Sequence, residues 1–170
     1  MIDQILTKSC LIFGCGNPLF GDDGFGPSVI EHMEANHTLP DHAACMDAGT
    51  GVRDILFDIL LSESRPRQIV IIDAAEKPGK IPGEIYEIPV DGIDAKKTSD
   101  FSLHQFPTTN MLRELKDHTK VDVRVLVAQV QHIPDEINPG ISTAVMDAVP
   151  EMCLKILDII NQNRDWEDQP

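Results

Sequence analysis

Cys10-Leu11-Ile12-Phe13-Gly14-Cys15-Gly16-Asn17-Pro18-Leu19-Phe20-Gly21-Asp22-Asp23-Gly24-Phe25-Gly26-Pro27 runs from an apolar stretch through a glycine-rich loop into an amphipathic segment. The apolar stretch reads as a strand over residues 10–14. The segment after the loop reads as a helix from Pro27 to about Ala35, with proline at a favoured first helical position. Strand, glycine loop and helix in this order form the unit with which α/β proteins usually hold a phosphate. Here the loop carries two adjacent carboxylates and no lysine. The spacing of Gly16 and Gly21 imitates a phosphate-binding P-loop, but Asp22 and Asp23 stand where Lys and Ser/Thr belong. An anionic loop repels phosphate and favours a cation or a polar substrate.

Further strand signals fall at residues 43–47, 68–73, 84–88 and 121–130. Ile69-Val70-Ile71-Ile72 is continuous apolar sequence, as expected of a strand buried on both faces. Helical patterns alternate with the strands. One follows Thr50, read as its N-cap, and repeats Val52, Ile55, Leu56, Ile59 and Leu60. One carries Met111, Leu112 and Leu115. The last follows Ser142 and carries Val145, Val149, Met152, Cys153, Ile156, Leu157 and Ile160, with Pro150 expected to kink or split it. The alternation predicts an α/β fold, a three-layer α/β/α sandwich around a twisted, mostly parallel five-stranded sheet. Residues 76–88, rich in Pro and Gly, are too short for a helical crossover, so the strand near Glu84 is expected to pair antiparallel at an edge. One domain over residues 1–170 is expected, with 164–170 as a frayed tail.

The chain has 170 residues and a formal net charge of −14. That charge disfavours nucleic acid and anionic membranes as partners, since both bind through basic patches. No apolar run reaches transmembrane length, and the first residues show no signal-peptide pattern, so a cytoplasmic location is the expectation. The four cysteines, Cys10, Cys15, Cys45 and Cys153, form no CxxC pair and read as reduced thiols.

In open α/β sheets, ligands bind beyond the carboxyl ends of the strands. Asp23 follows the first strand, Asp47 ends the second, Asp73 ends the third, and His104 precedes or opens the third helix. Two carboxylates and an imidazole at one edge invite a divalent ion with open coordination positions. Structural alternatives stand beside this reading. Asp22 or Asp23 could cap a helix, Asp47 could form a turn before Gly49, and Ser102-Leu103-His104-Gln105 also reads as a capping box. His32, His37, His42, His118 and His132 receive no role. A dinucleotide site is weakened by Leu19 in place of the third glycine after Gly14 and Gly16. Serine-hydrolase and HExxH zinc-peptidase signatures are absent.

Taken together, Gly14-x-Gly16-Asn17-Pro18-Leu19-x-x-Asp22-Asp23-Gly24-x-Gly26, Asp47-Ala48-Gly49-Thr50, Ile71-Ile72-Asp73-Ala74 and Ser102-Leu103-His104-Gln105 resemble the hydrogenase maturation proteases. The likeness extends through the proline-containing last helix. The stretch Leu103-His104-Gln105-Phe106-Pro107-Thr108-Thr109 is most similar to the branch serving archaeal deazaflavin-reducing hydrogenases. The resemblance implies an endopeptidase that removes the C-terminal extension of a nickel–iron hydrogenase large-subunit precursor after nickel insertion, working as a monomer. It assigns metal contact and catalysis to Asp23, Asp73 and His104, and substrate recognition to Asp47, Gly49 and Thr50. Nickel would arrive with the substrate, and another divalent ion could stand in for it. Some members carry Glu at the Asp23 position, so the reach here is one methylene shorter. The family's Asp-Gly-Gly-Thr loop has Ala48 at its second position. The expected chemistry is a metal- or carboxylate-activated water with Asp23 or Asp73 as base, and no covalent nucleophile. A non-catalytic protein that checks metallation, and a nucleotide-binding domain, are the alternatives.

Overall fold

The protein is described from a computed structural model covering residues 2–92 and 106–163. In chain order the elements are α1 (Ile2–Ile5), β1 (Cys10–Cys15), α2 (Phe25–Asn36), β2 (Ala43–Gly49), α3 (Val52–Leu61), β3 (Gln68–Ala75), β4 (Ile85–Ile88), α4 (Phe106–His118), β5 (Asp122–Gln129) and α5 (Thr143–Gln162). Single 3-10 turns lie at Gly21–Gly24 and Val90–Gly92. The strands form one sheet in the order β2-β1-β3-β5-β4. All pairings are parallel except that of β4 with β5. The antiparallel strand is therefore an edge, as the short 76–88 connection requires. A paired Arg124 and Glu87, at 2.9 and 2.8 Å, ties that edge to its neighbour.

Alternation along the central strands builds two cores. Cys10 and Ile12 of β1, with Val70, Ile72 and Ala74 of β3, face α2 and α5. Leu11, Phe13 and Cys15, with Ile69, Ile71 and Ala75, face α3 and α4. Both faces are thus covered, which is why these strands read as unbroken apolar runs. The chain leaves β1 to one side for β2 and returns on the other side as β3. This reversal opens a crevice at the carboxyl ends of β1 and β3, the usual ligand position in such sheets.

Several local expectations are corrected. α1 is an extra element, and its last residue, Ile5, packs on the α3/α4 core. α2 begins at Phe25, so Pro27 is its third residue, still within the first turn where N–H groups have no helical acceptor. Gly51, not Thr50, occupies the N-cap of α3. The reason is the preceding turn: Gly49 takes φ +51°, and the Gly51 N–H donates to the Ala48 carbonyl at 2.9 Å. α5 is continuous through Pro150. Pro150 lies on the solvent side, and so does Met146, whose carbonyl loses its helical donor and can turn to water. α4 starts at Phe106, four residues after Ser102, so Pro107 falls harmlessly in its first turn. Residues 164–170, expected as a frayed tail, lie outside the described residues.

Candidate active site

The glycine loop is held by close packing. A Cβ on Gly26 would sit 2.2 Å from the Cys15 carbonyl and 2.6 Å from that of Ile72, so only glycine lets α2 lie this close to β1 and β3. Gly16 has φ +127°, and a Cβ there would lie 1.9 Å from the Asp23 carbonyl. The start of α2 is therefore pressed into the crevice, and it carries Asp23 with it.

Asp22 and Asp23 are both buried but turn to different tasks. The Asp22 carboxylate accepts backbone N–H groups from Gln131 (2.8 Å), His132 (3.1 Å) and Ser142 (2.7 Å), and the Ser142 hydroxyl (3.0 Å). It pins both ends of the mostly exposed segment 131–142 and does not cap a helix. Nothing local in the sequence signals this, because its donors lie over a hundred residues away. Asp23 accepts the Asn17 N–H through Oδ2 at 3.0 Å, which holds its carboxylate against Gly16.

Asp73 is 0% exposed and lies two residues before the end of β3, so the strand continues past it. Its neighbour Ile72 is in register with Gly14, which on the other side pairs with Asp47 of β2. Oδ1 of Asp73 accepts the N–H of Ala74 at 2.8 Å. Oδ2 is buried and has no hydrogen-bond partner among the described residues. Burial pushes the Asp73 carboxyl well above its ordinary range; the Ala74 N–H opposes this, and the Asp23 charge adds to it. A buried carboxylate next to another, with one oxygen unpartnered, is costly without a cation. The donor set thus fits a divalent metal.

Cys15 lies beside these acids and is 1% exposed. Its thiol donates to the Phe13 carbonyl at 3.9 Å. Burial, then Asp73, Asp47 and Asp23 in that order, push it well above 9.0. This is the reverse of what activates a nucleophilic cysteine.

Asp47 is exposed, and its Oδ1 accepts the Gly49 N–H at 2.9 Å in a tight turn. The Gly49 carbonyl accepts the Gly16 N–H at 3.0 Å, joining this turn to the glycine loop. Thr50 is exposed next to it. Asp23, Asp47, Asp73, Gly49 and Thr50 therefore gather at the carboxyl edge. His104 lies outside the described residues.

A family model described as hydrogenase maturation protease (HycI) matches residues 27–159. A protein of Methanocaldococcus jannaschii named as a hydrogenase maturation protease is 35% identical, over 91% of this chain and 98% of its own length. Coenzyme F420 hydrogenase subunit delta of Methanothermobacter thermautotrophicus is 32% identical, over 91% of this chain and 96% of its own. Among solved structures, the hydrogenase maturating endopeptidase HybD of E. coli superposes with a TM-score of 0.71 at 23% identity, covering 91% of this chain and 93% of that one. The last likeness bears on the fold.

Proposed function

This chain belongs to the hydrogenase maturation protease family, a family of peptidases, and from that premise we propose that it removes the C-terminal extension of a nickel–iron hydrogenase large-subunit precursor once nickel is in place. The relative named as an F420 hydrogenase subunit supports a deazaflavin-reducing hydrogenase as the physiological substrate. The reading takes the protein to act as a monomer in the cytoplasm. Among the described residues no helix is long and apolar enough to cross a membrane.

The single observation that carries the nickel reading is the buried, unpartnered Oδ2 of Asp73 beside Asp23. Nickel belongs to the substrate. Asp23 and Asp73 offer it carboxylate oxygens, and His104, two residues ahead of α4 in sequence, offers an imidazole. Such an incomplete set binds weakly on its own and gains affinity when the precursor brings the remaining ligands. Asp23 or Asp73 then acts as general base toward the attacking water, and Asp47, Gly49 and Thr50 hold the peptide at the rim.

The test uses chelator-stripped protein with nickel-loaded and nickel-free precursor in metal-free buffer, followed by intact mass measurement. A C-terminal peptide lost from the loaded precursor alone is the expected outcome. Binding without cleavage would make the protein a metallation sensor, and cleavage that needs free metal added back would make it a conventional metallopeptidase. Asp47→Ala tests the rim: normal processing by that variant would reduce Asp47 to a turn former.

A further inference from the structure

We propose that His32, His37 and Cys153 form a second metal site, selective for a borderline-soft divalent ion such as zinc, which fastens the C-terminal end of α2 to α5. One ligand atom from each residue lies within 4.8 Å of the others. Tetrahedral zinc, with Zn–S of about 2.3 Å and Zn–N of about 2.0 Å, sets its donors roughly 3.3–3.6 Å apart. From 4.8 Å the most separated pair closes by roughly 1.2–1.5 Å to meet that spacing, a rotamer adjustment for two half-buried imidazoles.

The backbone builds this cluster. In a continuous helix, residues five apart point about 140° away from each other. His37 escapes that geometry because it is the C-cap of α2, extended at φ −134° and ψ 147°, with its N–H donating to the Met33 carbonyl. The helix ends there, and the His37 ring lies 6.1 Å from that of His32. Cys153 comes from the opposite side, on α5, and is 0% exposed. Its thiol donates to the Val29 carbonyl at 3.6 Å, one turn before His32 on the same face of α2. The buried sulfur forms the floor and the half-buried imidazoles form the mouth, which leaves a fourth coordination position to be filled.

The donor chemistry differs from that of the acidic site. Two imidazoles and a thiolate suit zinc and its transition-metal neighbours, whereas magnesium and calcium prefer oxygen. The two sites are also apart. α2 starts at the carboxyl edge and runs away from it, which puts His32 and His37 about 10–18 Å farther along its axis than Phe25. Metal bound here bridges two helices that share one core, so it acts on stability and leaves the peptidase chemistry to the other edge.

The experiment titrates the full-length, metal-free protein with cobalt, then displaces cobalt with zinc. One equivalent should produce a thiolate-to-cobalt charge-transfer band, unchanged in Asp73→Asn and in Cys15→Ser. Cys153→Ser should abolish the band. His32→Gln and His37→Gln, at half-exposed positions that leave the core intact, should each weaken cobalt binding at least tenfold. Zinc at a hundredfold excess over its Kd should raise the thermal midpoint by about 5–10 °C, and the rise should vanish in the double histidine variant. Absence of the band in the wild-type protein overturns the proposal. So does an undiminished band in the double histidine variant, or a band that survives Cys153→Ser but is lost in Cys15→Ser.

Discussion

Replacing Asp22 by alanine removes the acceptor of three backbone N–H groups and one hydroxyl that hold segment 131–142 at both ends. Hydrogen bonds to a charged acceptor contribute about 1.5–3 kcal/mol each when the donor then finds no substitute. Here Gln131 and His132 are exposed and Ser142 is half-buried, so water can satisfy the released donors. A net of about 1 kcal/mol per bond is then appropriate, and the four together come to about 3–5 kcal/mol. For a chain of this size, 1 kcal/mol moves the thermal midpoint by roughly 2–4 °C, so a loss of about 8–16 °C is expected. Urea unfolding gives the free energy, and amide exchange at Gln131, His132 and Ser142 reports the local effect. Those three amides should exchange much faster than the amides of β1 and β3. Asp22→Asn, which keeps one acceptor oxygen, should fall between wild type and alanine. A loss below about 1 kcal/mol, or unchanged exchange at the three amides, would refute the assignment of Asp22 as the clamp of this segment.

Three further outcomes follow from the crevice. Gly16→Ala combines a disfavoured φ with overlap on the Asp23 carbonyl, and should cost about 3–5 kcal/mol by urea unfolding while abolishing processing. Asp73 has its folded pKa raised by burial and by Asp23, so its contribution to stability is full below the ordinary carboxylate value of 3.8 and is lost as pH rises through the folded pKa. The metal-free Asp73→Asn variant should therefore gain on wild type in urea midpoint with rising pH, and a constant difference from pH 4 to 8 would contradict the burial argument. Cys15, whose thiol is held well above 9.0, should resist iodoacetamide in the native protein at pH 8, and Cys15→Ala should still cleave precursor.

Much of the fold was legible because strand burial leaves a pattern that needs no long-range information. Ile69 to Ile72 are apolar without alternation because helices cover both faces of β3. The antiparallel edge followed from chain length alone, since residues 76–88 cannot hold a crossover helix. Helix ends were read less well. Thr50 has the right chemistry for an N-cap, but the Asp47 and Gly49 turn carries the chain one residue farther, to Gly51. Pro150 predicts a kink or a split in α5, and the helix is not split because that residue lies on the solvent side, where the freed carbonyl can reach water.

Which groups are available at the carboxyl edge is written in short stretches of chain. Glycines that admit close packing, acids after β1 and within β2 and β3, and the alternation of strands with helices are all local properties, fixed by side-chain size and period. What each acid does was decided only by tertiary structure. Adjacent residues Asp22 and Asp23 look equivalent in the chain, yet one clamps a segment more than a hundred residues away and the other accepts the N–H of Asn17 in its own loop. The strand order β2-β1-β3-β5-β4, which creates that crevice, is likewise invisible in any single segment. The meeting of His32, His37 and Cys153 depends on a helix end and on the packing of α5 against α2. Partners distant in sequence are selected by the shared burial of whole elements, and that selection is a property of the packed molecule.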